Sequence, residues 1–483
     1  MIKLRPIVFA LGILISALAV FMGIPAVVDW LSEYGRDASS FAACAAFTLF
    51  IGVSTVLAAS GGDEELDIRQ TFVLAGFGWF AAAAFSALPL AFSDLGLSPA
   101  SAFFEAMAGV TATASTVITG LDSAPPGILL WRALLQWSGG IGMIAMAIMV
   151  LPVLHVGGMQ LFRLELAGMG RRALPRMAEI LSSVGLIYLV FTTLCATALW
   201  GAGMTGFEAV LQAMATVSTG GFSSSDQSIA HFHSGAVETV LIVFMILSSL
   251  PFLLYLQAMR GAPWRLFADG QVRWFVGILT GAVAVMTYWL WHYNGASLLA
   301  AFRESAFNVV SVVSGTGFTT ANYDSWGGAA VAGFLFLMVV GGCGGSASGG
   351  IKVFRFQVIY ETANAQIKRL IQPSGLFVPQ FNDRPIPDTV ATAVMGFFFL
   401  FAVSFALLAL GLSATGLDPL TSLSGATAAL TNVGPGLGGV IGPAGSYAQL
   451  PDTSKWLLSL GMLAGRLDLY TVFVLFLPTF WRG

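Results

Sequence analysis

Four ten-residue stretches align without a gap: EAMAGVTATA (105–114), QAMATVSTGG (212–221), NVVSVVSGTG (308–317) and GATAALTNVG (425–434). Their seventh positions are Thr111, Ser218, Ser314 and Thr431, a hydroxyl each time, and their tenth are Ala114, Gly221, Gly317 and Gly434. An ion leaving water needs its hydration shell replaced by several oxygens, and rings of backbone carbonyls and hydroxyls supply them without a fixed charge. Glycine adopts the backbone angles that turn a carbonyl towards an axis, and Thr or Ser adds a side-chain oxygen. The chemistry suggested is coordination of a bare monovalent cation. Candidate ligands are Thr111, Ala112, Thr113 and Ala114; Ser218, Thr219, Gly220 and Gly221; Gly315, Thr316 and Gly317; and Thr431, Asn432, Val433 and Gly434. Any one of these stretches reads equally well as a small-residue packing face between helices. Four of them, recurring roughly every 100 residues, point to an internal repeat.

The elements that must position them are helices in lipid. Only 9% of residues are charged and mean hydropathy is +0.84, so apolar runs of membrane-spanning length dominate. Such runs cover 6–28, 41–59, 71–92, 128–154, 180–203, 236–258, 274–294, 328–371 with an interruption, 388–411 and 455–480. Each decapeptide falls between two of them, in a connection (98–127, 205–235, 297–327, 416–453) that starts as a short helix and breaks into Thr, Ser and Gly. Non-helical backbone at membrane depth is tolerated only where protein buries it or water lines it, so these read as re-entrant loops. The expected fold is an all-α polytopic membrane protein: four helix/re-entrant loop/helix repeats around a central pore, plus an N-terminal helix pair. The expected division is 1–65 for the pair and 66–160, 161–260, 261–372 and 373–483 for the repeats. Each repeat contains two spans, so all four have one orientation.

Charge sets the sidedness. With the N-terminus in the cytoplasm, only Arg36, Arg132, Arg303 and Lys455 of the 21 Lys and Arg fall outside, and Arg466 sits within the last span. The basic, apolar start MIKLRPIVFALGILISALAV reads as a retained helix rather than a leader. Glu105, Glu208, Glu304 and Asp418 lie near the short helices, where they either draw cations to the outer mouth or stabilise helix N-termini.

Two further features stand out. GGCGGSASGG (341–350) interrupts a span but is not a phosphate loop, since Lys352 follows Ile351 and no strand precedes. It reads as a packing kink or an intramembrane gate, with Gly344, Gly345, Ser346, Ala347, Ser348 and Gly349 as the movable segment and Lys352 at its end. Arg466 is a charge at a place where insertion into lipid costs about 2.5 to 3.5 kcal/mol. It reads as an electrostatic barrier on a cation path or as an ion-paired structural group; Asp468, two residues on, faces elsewhere on a helix. Cys44, Cys195 and Cys343 lie in apolar segments and suggest packing, not disulfides. His155, His231, His233 and His292 lack helical ligand spacing, so no metal site is expected beyond the transported ion.

The motifs VITGLD (117–122), LQWSGGIGMI (135–144), LPVLHVGGMQLFR (151–163), STGGFSSSD (218–226), TGFTT (316–320), GGCGGSASGGIKVFR (341–355), TNVGPGLG (431–438) and MLAGRLDLYT (462–471) resemble those of the TrkH/KtrB potassium-transporter family, in its longer TrkH form. The resemblance covers essentially the whole chain. It implies a homodimer in the bacterial inner membrane with both termini cytoplasmic, each protomer holding its own pore. It also implies a separate TrkA-type nucleotide-binding regulatory subunit, since no GxGxxG follows a strand-like run here. It implies a gating role for 344–349, Lys352 and Arg466. The first loop departs from the family pattern: where TTTGAT is usual, Thr111–Thr116 reads TATAST, with Ala114 at the glycine position. That places K+ over Na+ preference in question.

The expected function is therefore channel-like potassium uptake through a carbonyl and hydroxyl filter. The alternative is a symporter moving K+ or Na+ with H+ or Na+, for which mid-span carboxylates other than Asp468 are lacking. An enzyme would need a nucleophile with a base, or a metal cluster, and neither is present in the sequence. No covalent cofactor and no nucleic-acid partner is expected.

Overall fold

The structure is a computed structural model, and it describes residues 3–61, 67–150, 158 and 174–482. Most of LPVLHVGGMQLFR, with His155, and the boundaries proposed at 65/66 and 160/161 lie outside the described residues.

The chain begins with an antiparallel helix pair, α1 (Arg5–Leu31) and α2 (Gly35–Ala59). Gly12 and Gly52 let the two backbones approach: a Cβ on Gly12 would stand 2.9 Å from the Val56 amide, and one on Gly52 2.7 Å from that of Ser16. The first repeat follows with α3 (Ile68–Ala91), the short α4 (Pro99–Val110) and α5 (Pro126–Ala145). The second has α6 (Leu174–Gly201), the short α7 (Gly206–Val217), α8 (Gly235–Ser248) and α9 (Phe252–Met259). After a five-residue helix, α10 (Trp264–Ala268), the third has α11 (Gly270–Tyr293), the short α12 (Leu298–Ser314), α13 (Gly328–Val340) and α14 (Val353–Ile371). The fourth has α15 (Asp388–Ala414), the short α16 (Pro419–Thr431), α17 (Asp452–Leu467) and α18 (Leu469–Leu475); α19 (Pro478–Arg482) ends the chain. A two-residue antiparallel pair, β1 (Gln380–Phe381) with β2 (Arg384–Pro385), joins repeats three and four.

Among the described residues seven helices are long and apolar enough to cross a membrane, and two further pairs qualify only when joined across a bend. Two expected continuous spans are corrected here. The 236–258 span breaks before Pro251, which cannot donate to the helix ladder, and turns by 89° between α8 and α9. The 455–480 span breaks at Asp468, whose positive φ of 67° is incompatible with a right-handed helix, and turns by 113° between α17 and α18. The expected interruption of 328–371 falls at 341–352, between α13 and α14.

The four short helices share one construction. Ser98, Thr205, Ser297 and Asp418 cap their N-termini, accepting from the amides of Ser101, Glu208, Ala300 and Thr421 at 3.2, 3.3, 3.3 and 3.0 Å. The last turns of all four are largely buried, and α4 is buried from Ala100 to its end. The spanning helices around them turn apolar side chains outward, among them Phe50, Leu57, Leu410 and Phe399. That inversion of the usual soluble pattern follows from lipid as the outer solvent.

Candidate functional site: a ring of four loops

Each decapeptide leaves its helix in the same way. The ninth residue donates its amide to the fourth carbonyl: Thr113 to Ala108 (2.7 Å), Gly220 to Ala215 (2.7 Å), Thr316 to Ser311 (2.9 Å) and Val433 to Ala428 (3.1 Å). The eighth donates to the fifth: Ala112 to Gly109, Thr219 to Thr216, Gly315 to Val312 and Asn432 to Ala429. This paired closure requires a left-handed residue between the two bonds. The eighth residues, Ala112, Thr219, Gly315 and Asn432, have φ of 50°, 51°, 77° and 55°. The sequence reading names all four as candidate ligands but does not foresee their left-handed backbone, because only one of them is glycine.

The tenth positions refine the glycine argument. Gly221, Gly317 and Gly434 have φ of 77°, 81° and 107°, whereas Ala114 is not among the positive-φ residues. The first loop therefore runs differently at the position where its residue type differs. All four positions nevertheless meet. A Cβ on Gly221 or Gly317 would stand 2.8 or 2.7 Å from the Ala114 methyl, and one on Gly434 closer still. The Ala114 methyl occupies the point on which three glycines converge.

Hydrogen bonds close the loops into a ring in sequence order. Asp226 of the second accepts from the amides of Gly120 (2.7 Å) and Leu121 (3.1 Å) of the first. Ile229 of the second donates to Thr319 O of the third at 3.1 Å. Asp324 of the third accepts from the Gly438 amide of the fourth at 3.0 Å. Asn432 Nδ2 donates to Thr113 Oγ1 (3.0 Å) and Ser115 Oγ to Gly434 O (2.9 Å), joining fourth to first. Burial lifts the Asp324 carboxyl above its ordinary value, while the Gly438 amide pulls it down. Above the ring lies a cavity of about 400 Å3 whose lining includes Ala114, Gly221, Gly317, Thr319, Pro435 and Gly442.

The acidic residues divide by role. Asp418 and Glu208 serve helix N-termini, Glu208 by completing a capping box with Thr205. Glu105 does neither of the expected things. It is fully buried, pairs with Arg132 Nε at 2.8 Å and accepts from Thr116 Oγ1 and the Val117 amide. Arg132, counted on the outer side, is buried in α5 and also donates to Ser223 O at 2.9 Å. The pair is a strut under the first two loops. Arg303 pairs with Glu238, and Lys455 is buried with its Nζ 3.0 Å from Ser101 Oγ.

Beneath the ring lies the 341–352 break, in which Gly344, Gly345, Ser346, Ala347, Ser348 and Gly349 are all buried. Ser348 Oγ donates to Ser314 O, the seventh position of the third loop. The Gly349 backbone packs against the Thr431 carbonyl, where a Cβ would not fit. Phe252, at the α8/α9 bend, donates its amide to Gly345 O at 3.1 Å, and the Gly344 amide donates to Gln271 Oε1 at 2.9 Å. Arg466 Nη1 reaches Ala347 O at 3.1 Å, and Nη2 reaches Gly139 O at 3.4 Å. Asp468 pairs with Arg355, which charge counting puts on the cytoplasmic side and which is buried at the start of α14. Lys352 is buried beside them and its Nζ has no hydrogen-bond partner. Among the described residues no group of three His, Cys, Asp or Glu could hold a metal ion.

A profile of the TrkH family, described as "Cation transport protein", matches residues 39–482. The chain is 41% identical over 481 residues to the Trk system potassium uptake protein TrkI of Halomonas elongata, covering 99% of this chain and 97% of that one. It is 36% identical over 492 residues to the Trk system potassium uptake protein TrkH of Escherichia coli, covering 99% of each. The crystal structure of the potassium transporter TrkH from Vibrio parahaemolyticus superposes with a TM-score of 0.91 at 34% identity, covering each chain completely. This multi-pass membrane protein belongs to the TrkH family of cation transport proteins.

Proposed function

We propose that the ring is the selectivity filter of a channel-like potassium uptake pathway and that 341–352 with Arg466 is its gate. The observation that carries this reading is the shared closure of the four short helices, which brings four equivalent loop turns to one point. Four helix C-termini, each with partial negative charge, then converge on it, and carbonyls and hydroxyls at positions seven to ten replace ion hydration without a net charge. Thr111 to Ala114, Ser218 to Gly221, Gly315 to Gly317 and Thr431 to Gly434 are the filter residues. The membrane potential drives K+ inward with about 2.3 kcal/mol per charge per 100 mV.

The gate reading is supported by position. The 344–349 segment lies against the inner ends of two filter loops, and Arg466 fixes its backbone from another repeat. Lys352 and Arg466 add positive charge on the path of a cation. The repeats divide near 66–160, 161–260, 261–372 and 373–483, after the 1–65 helix pair, as the order of long and short helices supports. The proposed setting is a homodimer in the bacterial inner membrane, with both termini cytoplasmic and a TrkA-type nucleotide-binding subunit below. The relatives' shared designation as members of a Trk system supports a partner chain.

Reversal potentials in proteoliposomes of the purified protein test the mechanism. A channel gives potentials that follow the K+ gradient alone. Potentials that shift with a Na+ or H+ gradient at fixed K+ identify a coupled symporter instead.

A further inference from the structure

Between α1, α3 and α5 lies a second cavity, of about 390 Å3, separate from the ion path. Its lining includes Leu14, Ala17, Trp79, Trp131, Leu135 and Gly139 and carries no charged side chain. Ser138, also in the lining, satisfies its hydroxyl on Leu135 O at 3.0 Å. Nothing in this wall calls for water or for a headgroup.

Its mouth lies at membrane depth. Leu14 and Ala17 are exposed on the outer face of α1, which runs from Arg5 to Leu31. At 1.5 Å per residue, Leu14 is about 14 Å from one end of that helix and Ala17 about 21 Å from the other. An opening at that height faces hydrocarbon, so what can enter is a chain of methylenes. The volume suits one: a water takes about 30 Å3 of liquid, so the space holds roughly a dozen methylene-sized groups. Left empty, the lining would forfeit its dispersion contacts on that side.

We propose that this cavity binds one acyl chain of a bilayer phospholipid, with the headgroup outside it. The chain fills the gap between the N-terminal helix pair and the first repeat. Its inner wall also backs the ring: Val110 is the sixth residue of the first decapeptide, and the Gly139 carbonyl receives Arg466 Nη2. The seated chain thus supports α5 at the height where α5 supports both filter and gate.

The site is tested independently of transport, by reconstituting the full chain in nanodiscs of phosphatidylethanolamine and phosphatidylglycerol doped with a phosphatidylethanolamine carrying a diazirine along one acyl chain. After irradiation, adducts are mapped by mass spectrometry. Annular lipid labels outward residues such as Phe50 and Leu57, 68% exposed each. An acyl chain in the cavity also labels Ser138 and Gly142, half-buried residues of its α5 wall. Ala17→Phe, placed at the mouth, should cut labelling of the α5 pair at least fivefold and leave Phe50 unchanged. Adducts confined to outward residues overturn the proposal. The wild-type map decides the matter even if Ala17→Phe fails to fold.

Discussion

Arg466 on α17 donates Nη1 to the carbonyl of Ala347 at 3.1 Å, so a guanidinium from the fourth repeat holds the chain break of the third. Arg466 is 1% exposed, and its Nε has no partner. Under the proposed gate, this buried cation would hold the loop closed and repel the ion. Arg466→Ala removes both effects. Rubidium flux into proteoliposomes should rise several-fold in the absence of any partner chain. A folded variant with lower flux would assign Arg466 to structure instead.

Removing residues 344–349 tests the same gate from its other side. These residues fill the space beneath Ser314 and Thr431. Deleting them should raise ungated rubidium flux, measured in the same vesicles. Flux equal to the wild type would make the segment a packing kink.

The Glu105–Arg132 pair offers a prediction about stability rather than conduction. Both side chains are buried, at 0% and 2% exposure, and their bonds span the first two loops. Breaking a buried pair from one side leaves an uncompensated charge, at a cost of about 3 to 5 kcal/mol. Glu105→Gln should therefore lower the thermal unfolding midpoint in detergent by many degrees. A change within error would mean that the pair contributes nothing to holding the loops.

Much of this was legible in the sequence, and the exceptions have physical causes. Hydropathy located the spans and the repeat located the loops, because lipid and fourfold geometry impose residue types at fixed positions. The left-handed turns at Ala112, Thr219 and Asn432 were not legible, since these residues carry no glycine signal and the conformation is imposed by helix closure. The pairing of Arg355 was not legible for a different reason. Counting charges by side treats every Arg near a span end as solvated, whereas here Asp468, 113 residues away in sequence, draws it into the core. As an ion-pair partner, Asp468 was weighed only against Arg466, its near neighbour. The bend at Asp468, by turning the helix axis, brings it to Arg355.

Asp418 gives a pH dependence. The nearby Thr421 side chain and the amide hydrogen bond from Thr421 hold its carboxyl below the ordinary value of about 3.9. A carboxyl depressed in the folded state contributes stability above its unfolded pKa and loses it as pH falls through the folded one. The unfolding-midpoint difference between wild type and Asp418→Asn should thus be largest above about pH 5 and shrink towards about pH 3. A difference independent of pH would show that the cap acts without its charge.

Ala114 should set the ion preference. Its methyl stands where three glycines meet, and Ala114 lacks the positive φ of those glycines. Ala114→Gly opens that space and lets the first loop adopt the shared backbone. The ratio of rubidium to sodium flux should rise at least about threefold, corresponding to roughly 0.7 kcal/mol of discrimination. An unchanged ratio would remove Ala114 from the account of selectivity.

The central claim is that ions pass through the ring of four loops. Gly317 tests it most directly, because its φ of 81° is disfavoured for any residue with a Cβ and the added methyl would meet both the Ala114 methyl and the Val433 carbonyl. The measurement is rubidium uptake into proteoliposomes by Gly317→Ala, purified as a monodisperse protein whose amount per vesicle matches the wild type. Uptake reduced at least tenfold is the predicted result. Uptake at the wild-type rate would contradict the account and place the ion path elsewhere.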